Sequence, residues 1–188
     1  MSGPVFALVG GGARSGKSRF ALARGLALAG EGARIFVATA EPFDDEMRAR
    51  IALHRDERAR LARFETVEAP RELAAAIDRA GPAAVVVVDC LTLWLSNLLV
   101  GGAPASEVET RVEELAAAIA RRRAPVVVVT NEVGLGLVPE TPLGRVFRDV
   151  AGRAHQRLAR DADELYVAVM GVILRLRPGP VGIERTPE

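Results

Sequence analysis

Residues 6–30 read FALVGGGARSGKSRFALARGLALAG. An apolar run, Phe6 to Val9, leads into Gly10, Gly11 and Gly12, and a helical pattern takes over after Lys17. Gly11, four residues, then Gly16, Lys17 and Ser18 match the phosphate-binding loop pattern, in the strand-then-helix setting that the pattern requires. Each part has a physical task. Glycine lets the backbone turn so that its N–H groups converge on an anion at a helix amino terminus. Lys17 reaches the terminal phosphates, and the Ser18 hydroxyl helps to hold Mg²⁺. A glycine-rich turn with a chance lysine behind it would not bring strand, loop and helix into register. The stretch predicts a nucleotide-phosphate site.

Working outward, 188 residues suit one domain, residues 1–188, with a substantial core. A formal net charge of +1 gives no bulk electrostatic case for nucleic-acid binding. Cys90 is the single cysteine, so no internal disulfide forms, and no charged-then-apolar signal segment opens the chain. A reducing, cytoplasmic setting is expected. Residues 83–100, AAVVVVDCLTLWLSNLLV, approach the length of a membrane span. However, Asp89 would sit mid-bilayer, at about 2.5–3.5 kcal/mol on insertion scales. The pattern also changes at that point. Val85 to Val88 is a β-branched run, whereas Leu91, Leu95 and Leu98 recur at helical spacing. A buried strand, a turn at Asp89 and a helix packed on a sheet are predicted, with no membrane span.

Four further apolar segments resemble the first strand: Ala33–Thr39, Ala84–Asp89, Val126–Asn131 and Glu164–Gly171. Unbroken apolar runs suit strands covered on both faces, hence a parallel sheet. Between them lie helical patterns. The clearest is Ser106–Arg123, with Ser106 and Glu109 spaced as a capping box and Arg121 to Arg123 at its carboxyl end. VILRLRP, after Gly171, is expected as an antiparallel edge strand, and Arg63–Ala69 as a short strand. The fold class predicted is α/β, three-layered, with ligands outside the strand carboxyl ends.

Those ends carry the polar residues. Asp89 closes the valine run like a second nucleotide-binding motif, its carboxylate holding Mg²⁺ directly or through water; the bland alternative is a helix cap. Thr130, Asn131 and Glu132 end the next strand, followed by VGLGLVPETP, either a mobile loop or a plain connection. In DDEMRARIALHRDERARLARF, Met47, Ile51 and His54 share one helical face, with Arg50 and Arg58 a turn to either side of the histidine. A lone histidine is usually packing or decoration. Two flanking arginines make it a candidate nucleophile beside a clamped phosphate. His155 is read as structural.

Together, GGARSGKS, DDEMRARIALHRD, VDCLTLWLSNLL and TNEVGLGLVPETPLGRVFRDVAGRAHQRLARDADE resemble the bifunctional adenosylcobinamide kinase/adenosylcobinamide-phosphate guanylyltransferase family of cobalamin synthesis. The resemblance covers nearly the whole chain, and the last segment is its most specific part. It implies a RecA-like P-loop fold. It also implies two reactions: phosphorylation of adenosylcobinamide with ATP or GTP, then transfer of GMP from GTP through a histidine to the phosphorylated corrinoid, releasing pyrophosphate. The family histidine falls on His54, with Lys17 the other catalytic residue implied. The family's nucleotide contacts fall on Gly11, Gly12, Ala13, Arg14, Ser15, Gly16, Lys17 and Ser18. They continue at Ala38, Thr39 and Ala40, at Arg55, Asp56, Glu57 and Arg58, and at Glu68 and Asp89. Ser18 and Asp89 are the implied Mg²⁺ ligands. Some members carry Glu at the position of Asp89, and the spacing from His54 to Glu68 varies. A homotrimer is also implied. LTLWLSNLLV, with Trp94, is expected to carry apolar surface to spare for such an assembly.

Two other readings compete. One is a single-activity P-loop kinase of a small metabolite, in which His54 is inert and no nucleotide becomes attached to the chain. The other is a nucleotide-operated switch or motor. Guanine-specific switches usually carry Asn-Lys-x-Asp, which Thr130 to Val133 is not.

Overall fold

The computed structural model describes residues 4–41 and 64–184. The chain begins with β1 (Phe6–Gly11), α1 (Lys17–Ala29) and β2 (Arg34–Ala38), and resumes with β3 (Glu65–Glu68), α2 (Leu73–Arg79) and β4 (Val85–Asp89). It continues through α3 (Leu91–Val100), α4 (Ala105–Arg121), β5 (Val126–Val129) and α5 (Pro142–Asp161), and ends in β6 (Glu164–Val169), β7 (Val172–Arg177) and β8 (Gly182–Glu184). The strands form one sheet in the order β3-β2-β4-β5-β1-β6-β7-β8. All pairings from β3 to β6 are parallel, and the last two are antiparallel.

The valine runs become central strands because both faces of the sheet are covered. Val86, Val88, Leu8 and Val128 pack with Leu73, Trp94, Leu115 and Val150 from α2, α3, α4 and α5. Val87, Val127, Ala7 and Val9 face the other way, onto Phe20, Ala21 and Leu22 of α1. Each buried valine contributes about 1.5–3 kcal/mol, so a strand with no polar face is driven to the centre.

Four local expectations change. β7 is not the edge, because β8 lies outside it. Met170 and Gly171, both at positive φ, form the two-residue loop of the β6–β7 hairpin, so β6 stops at Val169. Ser106 is no cap: α4 starts at Ala105 with Pro104 as the flanking residue, whose ring holds φ at −67°, and Ser106 lies in the first turn. Glu109 instead forms an ion pair with Arg153 at 2.7 Å. The fourth change is α3. Leu91, Trp94, Leu95, Leu98 and Leu99 are all buried within the chain, and of its large apolar residues Val100 is the exposed one. The helix is covered by α4 and α5 as well as by the sheet, so the spare apolar surface is not there.

Registers align the strand ends. Ala38 pairs with Asp89, Asp89 with Val129, and Val129 with Val9. The loops after β1, β2, β4 and β5 therefore emerge in one row along the carboxyl edge.

Candidate nucleotide-binding site

The loop between β1 and α1 is built by backbone geometry. Arg14 (φ 55°) and Gly16 (φ 90°) are left-handed, turning N–H groups inward ahead of α1. Gly11 is irreplaceable on two counts. Its φ is 153°, and a Cβ there would stand 2.6 Å from the Ala168 carbonyl oxygen. Gly12, Ala13, Arg14 and Gly16 are exposed, Ser18 is half-buried, and Ser15 and Lys17 are buried. Lys17 Nζ donates to Gly12 O at 2.9 Å, so the ammonium folds back across the loop. The Ser15 hydroxyl is buried with no hydrogen-bond partner among the described residues, an orphan that a phosphate oxygen would satisfy.

Asp89, half-buried, ends β4, with β5 between it and β1. The flanking residue of α3 is Cys90, one position after Asp89, and it makes no side-chain cap bond. Ser18 and Asp89 offer one hydroxyl and one carboxylate. Among the described residues no group of three or more His, Cys, Asp or Glu converges. A sparse oxygen set of this kind fits Mg²⁺, which keeps water and substrate phosphates in its shell, better than an ion needing a full protein cage.

Behind the row lies a buried polar network. Thr39 Oγ1 donates to Cys90 O at 2.8 Å and accepts from Cys90 N at 2.7 Å. Asn97 Nδ2 donates to Thr39 O at 2.7 Å and to Pro70 O at 2.9 Å. Asn131 Nδ2 donates to Thr92 Oγ1 at 2.9 Å. Burial, with Asp89 adding, pushes the Cys90 thiol up to about 11, so near neutrality it is a small neutral filler and not a nucleophile. Thr39 thus has its hydroxyl engaged with the backbone, while Ala38 and Ala40 beside it are half-buried. Asn97 is the residue that motif reading missed. The available signal was an amide inside a mostly apolar helix.

The loop after β5 runs beside the phosphate loop. Thr130 N donates to Val9 O and Glu132 N to Gly11 O, both at 2.9 Å, extending the β1–β5 ladder past the strand ends. His155, on α5, has Nε2 2.6 Å from Thr130 Oγ1. Burial lowers its imidazole below the ordinary value, against an opposing pull from Glu132. Glu68 ends β3 at the sheet edge, level with Ala38 and four strands from β1. His54, Arg55, Asp56, Glu57 and Arg58 lie outside the described residues, as do Met47 and Ile51. A second concavity, of about 350 Å³ between α4 and α5, has its carboxylates Glu109 and Glu113 paired with Arg153 and Arg157.

A mostly parallel sheet with a glycine-lined anion loop after β1, a buried lysine and an aspartate two strands away defines a P-loop nucleotide-binding protein. Solved structures agree on the fold: a protein of Pyrococcus horikoshii (TM-score 0.54, 11% identity, covering 93% of this chain and 87% of that one) and an ATPase domain (TM-score 0.53, 14% identity, covering 95% and 79%). Residues 7–176 match the family model described as cobinamide kinase / cobinamide phosphate guanyltransferase. The chain is 41% identical over 184 residues to the bifunctional adenosylcobalamin biosynthesis protein CobU of Salmonella typhimurium, covering 90% of this chain and 98% of the relative. The Escherichia coli protein of the same name gives the same identity and coverage, and CobP of Pseudomonas aeruginosa is 39% identical over 175 residues, covering 93% and 98%. This chain belongs to the cobinamide kinase / cobinamide phosphate guanyltransferase family and is a bifunctional enzyme of that family.

Proposed function

We propose that the chain phosphorylates the hydroxyl of the aminopropanol arm of adenosylcobinamide with ATP or GTP, and then converts the product to adenosylcobinamide-GDP through a guanylylated His54. In the first step the hydroxyl oxygen attacks the γ-phosphorus and the bond to the β–γ bridging oxygen breaks. The inward N–H groups of residues 12–18 and the Lys17 ammonium hold the phosphates and offset the charge that builds on the leaving group. Ser18 and Asp89 would hold Mg²⁺, which supplies further neutralisation of the phosphates when bound.

In the second step a neutral His54 nitrogen attacks the α-phosphorus of GTP and pyrophosphate leaves. A phosphate oxygen of the corrinoid product then attacks the same phosphorus, and the P–N bond breaks to restore the imidazole. Arg55 to Arg58 and Glu68 are the nucleotide contacts of this step, with Arg58 steadying the phosphates. The observation that carries the reading is the family match running from β1 through β7 in a chain that keeps both Lys17 and His54. Intact mass after incubation with GTP and Mg²⁺ tests it, the gain of one GMP per chain being expected. A chain that never gains the adduct yet phosphorylates the corrinoid is a simple kinase.

We also propose a homotrimer, working in the cytoplasm. Supporting the assembly is a run of exposed apolar residues on the loop after β5 and the start of α5: Leu135 (92% exposed), Leu137 (95%), Val138, Leu143 and Val146. So much apolar surface on one segment beside a site suits a subunit contact.

A further inference from the structure

The kinase step has a proton to dispose of. A neutral hydroxyl that attacks phosphorus must lose its proton as the new bond forms, and a carboxylate within hydrogen-bond reach is the usual recipient. Asp89 is committed to the metal in the reading above. Among the described residues, the chain after β5 brings another carboxylate residue, Glu132, beside the phosphate loop. Glu132 N donates to Gly11 O, and Lys17 Nζ donates to Gly12 O, so the glutamate and the catalytic ammonium are fastened to consecutive carbonyls of the same loop. The Glu132 side chain is exposed. Its Oε1 accepts from Gly134 N, which steadies the carboxylate and leaves Oε2 for an incoming donor. From behind, the Thr130–His155 hydrogen bond ties the same segment to α5.

We propose that Glu132 is the catalytic base of the kinase half-reaction. The assignment rests on the kinase reading above. Its carboxylate accepts the hydroxyl proton of the aminopropanol arm while the hydroxyl oxygen bonds to the γ-phosphorus. The nucleoside diphosphate departs with the electrons of the broken P–O bond, and Glu132 returns its proton to solvent. Gly134 is part of the arrangement. A methyl group there would stand 2.9 Å from Glu132 Oε1 and would displace the carboxylate without touching the backbone of the site.

The test is steady-state phosphorylation of adenosylcobinamide by purified full-length variants. Glu132→Gln keeps shape and acceptor capacity but cannot take a proton. Its kcat is expected to fall by about 10²–10⁴-fold. The nucleotide KM should stay within about threefold, since ground-state phosphate binding is untouched. Gly134→Ala is expected to lower kcat by a smaller factor and serves independently if Glu132→Gln does not fold. Near-wild-type kcat in Glu132→Gln overturns the assignment, as does a loss confined to the nucleotide KM. A wild-type chain that forms the GMP adduct but phosphorylates no corrinoid overturns the kinase reading itself and takes Glu132's role down with it.

Discussion

Asn97, in the middle of an apolar helix, reaches across to Thr39 and holds its carbonyl oxygen at 2.7 Å. The same Nδ2 holds Pro70 O, so one buried amide joins the chain after β2 to the chain after β3. Trp94, one turn earlier, donates to Arg71 O at 2.7 Å. Replacing Asn97 by Ala strands two carbonyls, at about 1–3 kcal/mol for each unsatisfied buried group. Asn97→Asp should be worse than Asn97→Ala, because a carboxylate would face two carbonyl oxygens in a 1% exposed site. Urea unfolding of the two variants measures the order, and equal stability of all three proteins would contradict it.

Lys17→Ala should lose kinase activity by roughly 10²–10³-fold or more, since fixed positive charge and positioning are most of what the protein supplies to phosphoryl transfer. The lysine is itself buried, unlike its exposed neighbours Gly12 to Arg14, so the comparison needs a circular dichroism check of folding. Turnover near that of the wild type in a folded variant would remove the phosphate loop from the mechanism.

His54→Asn should abolish both the GMP adduct and guanylyl transfer, while phosphorylation of adenosylcobinamide is largely kept. The wild-type adduct should be acid-labile and base-stable, as phosphorus on an imidazole nitrogen requires. Mass spectrometry of the intact chain and of its peptides reads both points. Loss of both reactions in a folded variant would show that the two steps share His54.

His155 gives the folded state a pH dependence. Its folded value is depressed by burial, so the unfolded chain binds the extra proton first as pH falls. The stability held by the neutral imidazole is complete above the unfolded value of about 6.5 and is lost as pH drops below it toward the folded value. Denaturation midpoints between pH 7.5 and 5 should fall more steeply for the wild type than for His155→Gln. Parallel slopes would place the acid sensitivity in other groups.

Light scattering at micromolar concentration should give three times the chain mass, and Leu135→Ser with Leu137→Ser should shift the protein toward smaller species. These side chains are almost fully exposed in the single chain, so their replacement costs the fold little. A monomeric wild type would leave that apolar loop without its partner.

Most of the phosphate loop was legible because its parts are contiguous. Strand, turn glycines, lysine and helix start fall within residues 6–18, and local backbone rules govern each. The capping box at Ser106 was misread for the converse reason. The spacing was right, but Pro104 flanks the helix two residues ahead of Ser106. The antiparallel strand after Gly171 was legible, but the end of β6 was not, because β6 and β7 meet at a two-residue loop, Met170–Gly171, and positive φ at a methionine has no reliable sequence signal.

Local periodicity and motif spacing were sufficient to establish from the sequence an α/β protein with a nucleotide-phosphate loop, an aspartate closing a buried strand, and a histidine between arginines. Those features depend on which residues lie next to one another along a strand or helix. Tertiary structure alone decided the strand order, which sets β5 between the phosphate loop and Asp89, and with it the placing of Glu132 on Gly11, His155 on Thr130 and Asn97 between Thr39 and Pro70. Most of these contacts join segments dozens of residues apart. They form because covering both faces of the sheet brings the strand ends into one row, where polar groups cut off from water must pair with whatever the packing sets beside them.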